Sequence, residues 1–78
     1  MAGPVDELRA VVASTAPPPD VMETYLRKVQ ERAYTITDAD VGVLTSAGCS
    51  EDEIFEQTVT AAIAEGLRRL DRAHEVLR

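Results

Sequence analysis

A chain of 78 residues makes one domain at most and buries a smaller share of its surface than a larger domain would. Its single cysteine, Cys49, excludes an internal disulfide, and its single histidine, His74, leaves no Cys/His cluster to hold zinc. A core of this size rarely supplies more than about 3–5 kcal/mol, so self-association is the expected source of further stability, with no cofactor or metal called for. The net charge of −6 argues against a nucleic-acid partner, which needs clustered Lys and Arg, and no apolar run approaches the ~18 residues that span a bilayer.

Met1 to Pro4 lacks the basic and apolar regions of a signal peptide, so the cytoplasm is the expected compartment. Pro4 suits a helix start, where its missing N–H would be unpaired anyway. Val5, Leu8, Val11 and Val12 then space a short amphipathic helix to about Ala13. Pro17, Pro18 and Pro19 end it, and residues 14–19 read as a stiff connector. Asp20 is placed to cap a second helix, with Glu23 three residues on as the reciprocal partner. Met22, Tyr25, Leu26, Val29 and Ala33 form its inner face, and it is expected to end near Tyr34.

Thr37 caps a third helix, Asp38 to Ala47, with Asp40 in the capping-box position, Val41 and Leu44 facing inward, and Gly48 closing the end. Ser50 and Glu53 form another capping box, which starts a long helix running to Leu77. Along it Ile54, Phe55, Val59, Ala62, Ile63, Gly66, Leu67, Leu70, Ala73, His74 and Leu77 recur at steps of three and four and share one face. Acids at its start (Glu51, Asp52, Glu53, Glu56) and arginines at its end (Arg68, Arg69, Arg72, Arg78) complement the helix dipole. Helical period throughout, with no alternating pattern, predicts an all-α domain of three to four helices. Residues 1–19 form an N-terminal helix and Pro-rich connector; residues 20–78 form a helical module whose long helix, about 50–77, packs on helices two and three.

From Ala33-Tyr34-Thr35-Ile36-Thr37-Asp38-Ala39-Asp40-Val41, through Leu44-Thr45-Ser46-Ala47-Gly48-Cys49-Ser50-Glu51-Asp52-Glu53-Ile54-Phe55, to Ala61-Ala62-Ile63, the chain resembles the alkylhydroperoxidase-D-like group of the carboxymuconolactone decarboxylase superfamily. The resemblance covers roughly residues 33–77. It implies a helix, a sharp turn and a long core helix, and homo-oligomers whose helices pack across subunits. Catalytic members carry a Cys-x-x-Cys pair followed shortly by a His. Here Asp52 stands at the second cysteine's place and His74 lies at the far end of the long helix, so no catalytic residue of the family carries over.

The candidate catalytic residues are Cys49 and His74. Cys49 precedes a helix N-terminus, where the dipole favours negative charge, but Glu51, Asp52 and Glu53 put like charge beside it; the competing reading is a small residue that closes the turn after Gly48. His74 reads as a boundary residue on the apolar face or as a proton relay. Helix three, the Gly48 turn and helix four also fit a DNA-binding helix-turn-helix, but the second helix would push Glu51, Asp52, Glu53 and Glu56 at a phosphate-lined groove. Gly66, among Ala61, Ala62, Ala64 and Ala73, leaves room for close approach of another helix. Tyr25 and Tyr34 read as packing residues, and Arg68, Arg69 and Arg72 as a solvated helix end. The expected function is a non-catalytic, oligomer-forming module, a structural subunit or partner-binding protein. The alternative is a small enzyme using Cys49 or an inter-subunit cavity with His74.

Overall fold

The computed structural model describes residues 3–77 and contains no strand among them. Four α-helices follow in order, α1 (Pro4–Ser14), α2 (Glu23–Arg32), α3 (Asp38–Ser46) and α4 (Glu51–Leu77), with single 3-10 turns at Asp20–Met22 and Ala33–Thr35. The all-α class and the long C-terminal helix are as the sequence spacing predicts. Arg78, one of the four C-terminal arginines, lies outside the described residues.

Local chemistry accounts for most of the boundaries. Pro4 opens α1, and the Gly3 N–H donates to the Asp6 carboxylate at 3.1 Å. At α3 the Thr37 N–H donates to Asp40 Oδ2 at 2.8 Å. At α4 the reciprocal box is complete: the Ser50 N–H donates to Glu53 Oε1 and the Glu53 N–H to Ser50 Oγ, both at 3.1 Å. Between these helices Gly48 sits at φ 98°, while the Gly48 N–H reaches the Thr45 carbonyl at 3.1 Å and the Cys49 N–H the Leu44 carbonyl at 3.0 Å. That bond pair is a Schellman closure, which needs a left-handed residue and so selects glycine.

The start of α2 differs from the expected Asp20 cap. Pro19 arrives in extended conformation and the chain turns at once through the 3-10 segment, in which the Met22 N–H finds the Pro19 carbonyl at 2.9 Å. The helix then starts at Glu23 with no side-chain cap, and Glu23 bonds Arg27 at 3.0 Å instead. The tight turn drives Met22 into the core, where it is fully buried.

Met22, Tyr25, Leu26, Val29, Leu44, Ile54 and Ala61 form the core, with Ile36, Val41 and Cys49 packed against it. It lies where α2, α3 and the first half of α4 meet. The second half of α4 is flanked by α1, which runs antiparallel to it: Arg9 pairs with Asp71 at 2.6 Å, and Thr15 bonds Thr60 at 3.1 Å. Thr15 already donates to the Val11 carbonyl, so the Thr60 hydroxyl is the donor in that bond. No residue of α1 is buried, and Val5, Leu8 and Val11 remain exposed, so its amphipathic spacing does not add to the core. A helix of 27 residues is about 40 Å long, and α4 accordingly sets the 46 Å long dimension of the molecule.

The rotation of α4 departs from the sequence expectation. Its buried residues are Ile54, Gln57, Ala61 and Leu67. Of the predicted apolar face, Ile54 and Leu67 point inward and Ile63 is half-buried, whereas Phe55, Val59, Ala62, Gly66, Leu70, Ala73, His74 and Leu77 are exposed. The physical reason is a set of polar anchors that an apolar count ignores. Tyr25 donates to Thr58 Oγ1 at 2.8 Å, because the Thr58 hydroxyl itself donates to the Ile54 carbonyl at 2.6 Å. Gln57 Nε2 donates to the Ala16 carbonyl at 2.8 Å. These bonds, with Thr60 and Asp71, turn α4 so that its polar-to-small side meets α1 and α2.

Candidate functional site

The structure gives each sequence candidate a place. Cys49 is half-buried against the core, its N–H in the Schellman bond to Leu44; it is the small residue that closes the turn. His74 is fully on the surface of the last turns of α4. The two are separated by nearly the whole of α4, roughly 37 Å at 1.5 Å per residue, so within one chain they do not form a single site. Tyr25 is a core residue with its hydroxyl satisfied, and Tyr34 stands 86 % exposed. Among the described residues no three His, Cys, Asp or Glu side chains converge as a metal site, and no helix is long and apolar enough to cross a membrane.

The arginines of α4 are held locally. Arg68 and Arg69 both pair with Glu65, at 2.6 and 3.1 Å, and Arg72 lies 3.5 Å from Glu75. Arg68 and Arg69 share one carboxylate, and all three side chains stay largely exposed, as at a solvated helix end. Glu51, Asp52, Glu53 and Glu56, the acids at the start of α4, are exposed.

A cleft of about 380 Å³ opens between α2 and α3, lined in part by Tyr25, Lys28, Arg32, Asp40 and Val43. Across it Lys28 Nζ bridges both oxygens of Asp40 at 3.0 Å. The Thr37 backbone N–H, followed by Lys28, holds the Asp40 carboxyl below its ordinary range. The same occurs at Asp71, whose carboxyl is lowered first by the hydrogen bond from Arg9, while the Arg9 guanidinium is raised. Lys28, Asp40 and Arg9 thus lock elements together, and each is satisfied by its partner.

What remains unsatisfied is the outer face of α4. At 3.6 residues per turn, Phe55, Val59, Ala62, Gly66, Leu70, Ala73 and Leu77 fall within a wedge about 80° wide. Phe55 is 71 % exposed, Leu70 47 % and Leu77 84 %. Thr58, Thr60 and Asp71, the anchor points of α2 and α1, all lie outside this wedge. A Cβ placed at Gly66 would meet no atom within 4 Å, so the close helix approach expected there does not occur within the chain. Phe55, Val59, Leu70 and Leu77 lie in this stripe, while the exposed Val5, Leu8, Val11, Val21, Tyr34, Val43 and Val76 are spread over the rest of the surface; contiguous rather than single exposed apolar residues are the feature that makes the stripe a candidate site. The sequence had this stripe residue by residue; what it lacked was the signal, carried by Gln57 and Thr58, that the stripe faces outward.

No family model, curated protein or solved structure matches this chain, so the resemblance carried by residues 33–77 finds no support there.

Proposed function

We propose that this chain is a non-catalytic helical association module, a structural subunit or partner-binding protein whose working surface is the outer face of α4. The observation that carries the reading is the exposed stripe from Phe55 to Leu77, which holds half of the apolar side chains of the longest helix and meets α2 only at the border of the cleft that Ala62 and Gly66 share with Val29 and Ala33. Burying a large aliphatic or aromatic side chain contributes about 1.5–3 kcal/mol, so Phe55, Leu70 and Leu77 together can drive association on a scale comparable with the stability of so small a fold. Assembly through helices is also what the likeness to the alkylhydroperoxidase-D-like group implies, and a cytoplasmic setting fits the lone reduced thiol.

Sedimentation of the wild type and of Phe55→Ser/Leu70→Ser, from low to high micromolar concentration, tests this reading. The expected result is a complex that the wild type forms and the double variant loses while its helix content by circular dichroism stays unchanged. Association that the variant keeps, or collapse of the variant's fold, would contradict it.

A further inference from the structure

The stripe has a symmetry that the proposed function does not require. Phe55 and Leu77, Val59 and Ala73, and Ala62 and Leu70 are three pairs, each centred on Gly66. An element whose knobs are spaced alike in both directions from its midpoint fits a copy of itself run backwards. The 11-residue interval that separates Phe55, Gly66 and Leu77 gives 3.67 residues per turn, close to the natural helix, so the stripe stays on one side of α4 over its whole length.

Resting on the association reading above, we infer that the occupant of this face is a second copy of the chain, its α4 packed antiparallel on the first about a two-fold axis at Gly66. Phe55 of one copy then meets Leu77 of the other, Val59 meets Ala73, and Ala62 meets Leu70, while the two Gly66 residues, each uncovered in the single chain, face each other across the axis. A two-fold interface uses the same patch on both subunits, which is the condition a palindromic stripe satisfies.

Charge selects this orientation. Side by side in parallel, two copies of α4 would set Glu51, Asp52, Glu53 and Glu56 against their own counterparts, and Arg68, Arg69 and Arg72 against theirs. Antiparallel packing removes that acid-against-acid contact, setting each acidic start beside the end where Arg68, Arg69 and Arg72 balance Glu65, Asp71 and Glu75, and it opposes the helix dipoles. The flanks agree in detail. At helical spacing Glu65 and Arg69 border the stripe on one side, Glu56 and His74 on the other. With Gly66 on the axis, Arg69 of one copy comes opposite Glu65 of the other, and His74 opposite Glu56. Glu65 already accepts from Arg68 and Arg69 of its own chain, and a carboxylate has about four acceptor sites, so a further donor completes a cross-subunit network. His74 donates an N–H to a carboxylate in either charge state.

Cysteine cross-linking in a Cys49→Ser background tests orientation and register together. Helices packed about 8–10 Å apart, with Cα atoms about 2.3 Å off each axis, bring facing Cα atoms to roughly 3.4–5.4 Å, which overlaps the range that a disulfide bridges. Gly66→Cys is expected to form a disulfide-linked dimer in a glutathione redox buffer, far faster than the off-stripe control Arg72→Cys. Phe55→Cys should not link to itself but should link to Leu77→Cys when the two proteins are mixed. His74→Glu should weaken the dimer several-fold, and adding Glu56→Lys should restore it. Self-linking of Phe55→Cys, or association by sedimentation without these links, would overturn the antiparallel pair and leave the association reading standing. A chain that stays monomeric at every concentration and forms none of the links would overturn both.

Discussion

Two glycines of this chain do opposite work. Gly48 holds φ 98° in the Schellman closure between α3 and α4, so Gly48→Ala places a side chain in a conformation that L residues resist, although no neighbour crowds it. The expected loss is about 1 kcal/mol of stability, read as a lower thermal midpoint. Gly66 sits mid-helix in open space, and Gly66→Ala should raise the stability of the dilute chain by up to about 1 kcal/mol through helix propensity alone, while weakening the dimer by wedging a methyl group onto its axis. A thermal scan at low concentration paired with sedimentation at high concentration separates the effects; loss of stability in the dilute Gly66→Ala chain would contradict the open surface. Asp40 belongs to the same scale. Its folded-state pKa is depressed by the Thr37 N–H and Lys28, so it contributes stability that is present above the ordinary carboxylate range, near pH 3.9, and lost as the pH falls through the folded value. Asp40→Asn should therefore lower the melting midpoint at neutral pH, and the gap from wild type should close as the solution becomes strongly acidic. A gap that stays constant with pH would contradict the Lys28 and Thr37 assignment.

Among the elements, α4 is the most legible in its bounds and the least legible in its rotation. Its start at Ser50–Glu53, its length and its dipole-matched charges follow from short-range rules that tertiary context seldom overrides. The same holds for the Thr37–Asp40 box and the Gly48 closure. The rotation of α4 was not legible, because periodicity marks an apolar face without saying whether that face serves the monomer's core or another chain. Gln57 decides it: a polar residue in a buried position, it donates to the Ala16 carbonyl and ties the connector between α1 and α2 to α4. Asp20 failed as a cap for a related reason, since the three prolines deliver the chain in a geometry where a backbone carbonyl reaches the first donor before the side chain does. Gln57→Ala should cost about 1 kcal/mol and expose residues 14–19 to proteases sooner than in the wild type. Unchanged cleavage there would mean that Arg9–Asp71 and Thr15–Thr60 suffice to hold α1.

At the scale of the whole molecule, three short helices cover one side of a long one and leave an apolar stripe on its other side bare. The core gathered around Met22 and Leu44 is small, and the second half of α4 is braced chiefly by α1, which buries no side chain of its own. A fold built this way gains from a second surface, and the stripe from Phe55 to Leu77 offers one as long as the helix. The cysteine and histidine that looked like chemistry in the sequence fall into place as a turn-closing residue at one end of α4 and a flank of the stripe at the other. The measurement that bears most directly on this account is the native mass by light scattering behind a sizing column, with the protein reduced, near neutral pH and loaded over a wide concentration range. The mass should rise from that of one chain, 8.5 kDa, toward twice that value as concentration increases. A mass fixed at 8.5 kDa at every concentration would contradict it.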